Sequence, residues 1–113
     1  PVNEEVLAKT IQAIVITKNP DLPKNNHLKG VVLDFSFLQK PLKQKLQWEY
    51  IGEPLTWDTI ERIREEITTY YRENGRDLPN VEIYEQDLSA GVIHFVIPVH
   101  RKEPIPLFFK CDL

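Results

Sequence analysis

The sequence predicts a small α+β domain in which two helices lie on one face of a sheet. Three observations carry this reading. Runs rich in β-branched residues fill the first third of the chain, IQAIVIT at 11–17 and VVLDFSF at 31–37. Apolar residues then recur at helical spacing across two consecutive stretches. The last third returns to extended patterns, NVEIYE at 80–85 and VIHFVIPV at 92–99, joined by a short run of turn residues that favours an antiparallel hairpin.

Residues 1–10 are polar-leaning and are expected to be a flexible N-terminal segment. Ile11 to Thr17 is too short for a helix and reads as a strand buried on at least one side. Asn19–Pro20 ends it, because the residue before proline is pushed out of the helical region. The stretch from Asp21 to Gly30, with Pro23, Asn25, Asn26 and His27, reads as a loop. Val31, Leu33, Phe35 and Phe37 then share one side of a strand, with Asp34 and Ser36 on the other.

Pro41 suits a first helical turn, where its missing N–H costs nothing. Leu42, Leu46 and Tyr50 recur four apart, and Gly52 is placed to end that helix. Thr56 is a fitting N-cap for a second helix, with Asp58 near the positive end of its dipole. Ile60, Ile63, Ile67 and Tyr70 or Tyr71 form one stripe. Asp58 and Arg62 make an i,i+4 pair, and Asn74–Gly75 is the stop. In the 80–85 run Val81 and Ile83 face inward, and Asp87, Ser89 and Gly91 supply turn chemistry. Ile93, Phe95, Ile97 and Val99 share a face of the last strand, while Pro98 requires a ladder edge or a bulge.

Composition narrows the function. At 113 residues and 42% hydrophobic the chain can fill one modest core, which excludes disorder. Fourteen Lys and Arg against seventeen Asp and Glu give a net charge of −3, which excludes a strongly basic nucleic-acid binder. No apolar run approaches the roughly 18 residues of a membrane-spanning helix. A single cysteine, Cys111, can form neither an internal disulfide nor a thiolate zinc site. The chain opens on Pro1 and holds no methionine, so it is read as processed or cut from something larger.

Catalytic signals are sparse, and neither an enzyme activity nor a cofactor is expected. His94 and His100 have even spacing on a strand, with Glu103 close by, a set that could ligate a metal. The plainer reading is the solvated polar face of a half-buried sheet. Asp34 and Ser36 lack the nucleophile elbow and nearby histidine of a hydrolase. Four scattered glycines make no phosphate loop. Trp48, Tyr50, Trp57, Tyr70 and Tyr71 gather around the helix pair and are expected to pack between the helices. The run Val81–Tyr84 offers another chemistry: a sheet edge has unpaired N–H and C=O groups that can capture an extended peptide.

Three stretches in order carry a family resemblance. They are Tyr50-Ile51-Gly52-Glu53-Pro54-Leu55-Thr56, then Tyr70-Tyr71-Arg72-Glu73-Asn74-Gly75, then Glu85-Gln86-Asp87-Leu88-Ser89-Ala90-Gly91-Val92-Ile93. Together they resemble the polypeptide-transport-associated (POTRA) domain of two-partner secretion transporters of the haemolysin secretion/activation type. The resemblance implies a β-α-α-β-β domain over 11–100, with two helices on a small mixed three-stranded sheet. One additional strand is expected, from either 11–17 or 31–37. Residues 101–113 would be a C-terminal tail or the start of the next segment.

The resemblance further implies a periplasmic module attached to the outer-membrane β-barrel of the same full-length protein. The fragment itself would not span the membrane. Its partner would be an unfolded or extended secreted polypeptide, captured by strand addition along the sheet edge and the adjacent helix groove. That role maps onto Val81, Glu82, Ile83 and Tyr84. Gly52, Pro54, Tyr71, Gly75, Gln86, Asp87 and Gly91 are read as fold-defining. Two departures stand out: Tyr84 occupies a position where the family often has proline, and His100-Arg101-Lys102-Glu103-Pro104 replaces the usual Glu-Gly turn. The alternative function is a small metal- or ligand-binding domain using His94, His100 and Glu103.

Overall fold

Residues 5–21, 28–34 and 39–98 are described by the computed structural model. In chain order they form β1 (Val6–Ala8), β2 (Ala13–Thr17), β3 (Gly30–Leu33), α1 (Gln39–Tyr50), β4 (Leu55–Thr56), α2 (Trp57–Glu73) and β5 (Val92–Val96). β2 is the central strand, with β3 and β5 parallel to it on either side. An antiparallel bridge between Glu82 and Val96 adds the 80–86 segment beyond β5 and makes the small sheet mixed. The expected α+β arrangement, two helices on a small mixed sheet, is therefore the observed one, with β3 as the additional strand.

The β2–β5 register sets Ile14 beside Ile93 and Ile16 beside Phe95. These four join Leu42, Leu46 and Tyr50 of α1 and Ile60, Ile63 and Ile67 of α2 in one buried cluster. Each such side chain contributes about 1.5–3 kcal/mol when fully buried. The opposite face is buried too: Ala13, Val15 and Thr17 of β2 and His94 and Val96 of β5 are all inaccessible. Burial on both faces explains why IQAIVIT is a continuous apolar run broken by little else.

α2 is bounded as its sequence dictates. Thr56 Oγ1 accepts the Thr59 N–H at 3.1 Å, an N-cap bond. At the other end Gly75 (φ +71°) donates to the Arg72 carbonyl at 3.1 Å and Arg76 to the Tyr71 carbonyl at 3.0 Å. That pair of bonds is a Schellman stop, which needs a left-handed residue at Gly75. Asp58 and Arg62 pair at 3.2 Å on the exposed face.

The loops converge on residues 10–13. Ile11 donates to the Glu53 carbonyl (2.7 Å) and accepts from Gly52 (2.9 Å). Gln12 accepts from Gly30 (2.8 Å) and donates to the Gly91 carbonyl (2.7 Å), which also takes the Ala13 N–H. Gly91 has φ +80°, and a Cβ there would collide with the main-chain carbonyl of Thr10.

Four boundaries differ from the sequence reading. Val6–Ala8, inside the polar N-terminal segment, pair antiparallel with β4. β2 begins at Ala13, after Ile11 has spent both its main-chain bonds on the 52–53 loop and Gln12 its N–H on Gly91. β5 ends at Val96, just before Pro98. The 80–85 run pairs only at Glu82. The expectations for His27, Phe35, Ser36, Phe37, Val99, His100, Glu103 and Cys111 lie outside the described residues. Among the described residues, no helix is long and apolar enough to cross a membrane.

Candidate functional site

Among the described residues, the 80–86 segment is the outer edge of the sheet, beyond β5. Glu82 and Val96 exchange both main-chain bonds, each at 2.8 Å. In an antiparallel pair this turns the main chains of the two flanking residues away from the partner strand. Val81 and Ile83 therefore present their N–H and C=O groups outward, and among the described residues these carry no hydrogen bond. Their side chains turn inward, with Val81 buried and Ile83 packed against the core cluster.

Two side chains hold this edge in extended form. The Glu82 carboxylate accepts from Asn80 Nδ2 (2.7 Å) and from the Tyr84 hydroxyl (2.8 Å), clamping alternate residues on one side. The same bond makes the Tyr84 phenol harder to ionise than an ordinary tyrosine. Gln86 does what a strand would do. Its Oε1 accepts the His94 N–H at 2.8 Å, and its Nε2 donates to the His94 carbonyl at 3.1 Å and to the Tyr84 carbonyl at 2.9 Å. A side-chain amide thus completes the β5 ladder where the main chain has moved off, which is why only Glu82 pairs. In the turn beyond, Asp87 accepts from the N–H and the hydroxyl of Ser89 (3.0 and 2.7 Å), and these bonds lower its pKa.

Alongside the edge runs a groove of about 410 Å³, open to solvent. Trp57, Glu61 and Arg64 of α2 form one wall, and Ile83, Tyr84 and Leu88 form the other. Trp57 is 51% exposed and Tyr84 46%, so large apolar surface is left uncovered at this place. The predicted set Val81, Glu82, Ile83 and Tyr84 is thus brought together at an edge. Sequence reasoning expected an adjacent helix groove but named none of its residues on α2. Its signal was Trp57, directly after the Thr56 cap and off the Ile60–Ile63–Ile67 stripe.

The histidine reading changes. His94 is only 4% exposed, not on a solvated face. Its Nε2 lies 2.7 Å from Thr17 Oγ1, and burial lowers its pKa against the opposing pull of Asp34. Among the described residues, no group of three or more His, Cys, Asp or Glu is arranged to hold a metal.

The aromatic residues divide as well. Tyr50 is buried and donates to Glu66 Oε2 (3.1 Å), and its pKa is pushed up to about 12 by burial and the Glu66 charge. Tyr70 and Tyr71 stand edge-to-face with each other and pack against the core. Trp48, expected between the helices, is 86% exposed, because it sits two residues from Leu46 on a helix turning 100° per residue. No protein-family model, curated protein or solved structure matches this chain.

Proposed function

We propose that this chain is a POTRA-like module of an outer-membrane protein-secretion transporter, acting in the periplasm and capturing an extended polypeptide by strand addition. One observation carries the reading: the outward N–H and C=O groups of Val81 and Ile83 stand unpaired on a pre-extended edge, beside a groove with uncovered aromatic surface. An incoming strand satisfies those groups and covers Trp57 and Tyr84. The three ordered motifs support it: of the residues that the resemblance reads as fold-defining, Gly52, Gly75 and Gly91 have positive φ, and the Gln86 amide bonds the main chain of His94.

The test is amide-shift mapping with an unfolded polypeptide segment, together with Ile83→Pro. Proline removes an N–H that has no internal partner, so the domain stays folded while the strand loses its docking bond. Binding should fall at least about fivefold, the worth of one hydrogen bond with its register. Ile83→Val, which keeps the N–H, should bind as wild type. Unmoved shifts at 81–84, or full binding by a folded Ile83→Pro protein, would sink the proposal.

A further inference from the structure

The groove also has a chemistry of its own, and its meaning rests on the strand capture proposed above. Trp57, Ile83 and Leu88 make it partly apolar, while Glu61 and Glu85 make its rim acidic. Arg64 lies among them. Its Nη2 is 3.6 Å from Glu61 Oε2, so its charge is already answered. Its Nε–H is not: that atom is buried and has no hydrogen-bond partner, alone in this respect among buried side-chain polar atoms of the described residues. Folded proteins leave few such donors unmet, and each calls for an explanation. The Arg64 side chain is 37% exposed, so the guanidinium can turn into the groove without α2 moving.

We infer that Arg64 is a specificity-determining residue that selects an extended segment carrying a neutral oxygen (Ser, Thr, Asn or Gln) on its groove-facing side. A strand added at Val81 and Ile83 presents every second side chain to the groove. The residue opposite Arg64 supplies the missing acceptor. Its neighbours two positions away meet Trp57, Ile83 and Leu88, and so are apolar. A carboxylate is disfavoured at that place, because Glu61 already neutralises Arg64 and Glu85 adds a further negative charge.

The experiment uses synthetic peptides of about ten residues, a strand and its flanks. They alternate valine and lysine and differ only in one central groove-facing residue: serine, alanine or aspartate. Titration calorimetry on the 113-residue chain should show the serine peptide binding about fivefold tighter than the other two. In Arg64→Met, and in Arg64→Lys, which keeps the charge but not the Nε–H, the serine and alanine peptides should bind equally, and in Arg64→Met the aspartate peptide should be the weakest, since Glu61 and Glu85 are then left unneutralised.

A preference for serine over alanine surviving in Arg64→Met overturns the assignment to Arg64. Equal affinities in the wild type, with binding still lost in Ile83→Pro, overturn it while leaving strand capture standing. Affinities indifferent to Ile83→Pro, or no binding by any peptide, remove strand capture and this inference together.

Discussion

Residues 10–13 and residues 80–86 both tie the chain to the β2–β5 sheet, yet they are built on opposite plans. At 10–13, five main-chain groups each find a main-chain partner at 2.7–3.2 Å, drawn from Gly30 at the start of β3 and from the loops at Gly52–Glu53 and Gly91. At 80–86, one main-chain pair at Glu82 and one side-chain amide at Gln86 do all the fastening. The first region is over-determined, so any change there is felt by several elements at once. The second is just sufficiently held, and it leaves outward groups unspent. Low local stability is where binding edges are expected to be found.

The largest effect should come from disturbing the over-determined region. Gly91→Ala puts a Cβ against the Thr10 carbonyl, a main-chain atom that cannot give way alone, at a φ of +80°. Left-handed strain of about 1–2 kcal/mol plus this collision should cost about 3 kcal/mol, a large share of a small domain's roughly 5–15 kcal/mol. Gly52→Ala is the internal control. It too has positive φ, but nothing lies within 4 Å of the added Cβ, so strain alone should remain, about 1–2 kcal/mol. Urea midpoints decide it. Equal losses in the two variants would mean that the close approach at Gly91 contributes nothing.

The next effect is smaller and local. Gln86→Glu keeps an acceptor for the His94 N–H but replaces the donor facing the His94 carbonyl with a second oxygen. Loss of two bonds, to the His94 and Tyr84 carbonyls, should cost about 2 kcal/mol. More telling than the size is the place. Hydrogen exchange should quicken at His94 and Val96 while Gln12 and Ala13 keep their protection. Uniform quickening would show that the two regions are fastened as one unit.

Legibility in the sequence divides along the same line. The helix stripes, the Thr56 cap, the Gly75 stop and the apolar strands can be read because each depends on residues a few positions apart. The candidate edge, Val81–Tyr84, is readable as a strand pattern. Its position at the outside of the sheet is not, since that depends on β3 taking the far side of β2. Gln86 can be placed only as a motif residue: no local rule says that an amide will imitate a strand eight residues away. Trp48 and Trp57 are misassigned to the core because aromatic content says what is usually buried, not which way a helix turns it. His94 is misread because alternation alone takes one face of a sheet to be wet, whereas here both are covered.

His94 supplies the smallest and most selective probe of the loosely held region. The Thr17 hydroxyl donates to the Asn19 carbonyl at 2.6 Å, so its oxygen is left to accept from His94 Nε2–H at 2.7 Å. That bond uses a proton on Nε2, and a second proton on Nδ1 would place a charge in a buried site. Burial lowers its pKa in the fold, with Asp34 opposing only in part. The unfolded chain, near the ordinary value of about 6.5, then binds more protons as the pH falls. Stability from this group is fully present above about pH 6.5 and is lost as pH drops through that value toward the lower folded one. The loss should stay under about 1 kcal/mol by pH 6, the limit for a single proton. Thermal midpoints between pH 7.5 and 5.5 (about one pH unit either side of the ordinary value) should decline in the wild type and flatten in His94→Gln, whose amide still donates to Thr17. Because His94 is also the residue that Gln86 clasps, amide exchange at His94 and Val96 should rise with acid before exchange at Gln12 and Ala13 does. An unchanged slope in His94→Gln would assign the pH dependence to other groups, and simultaneous loosening of both regions would erase the distinction between them.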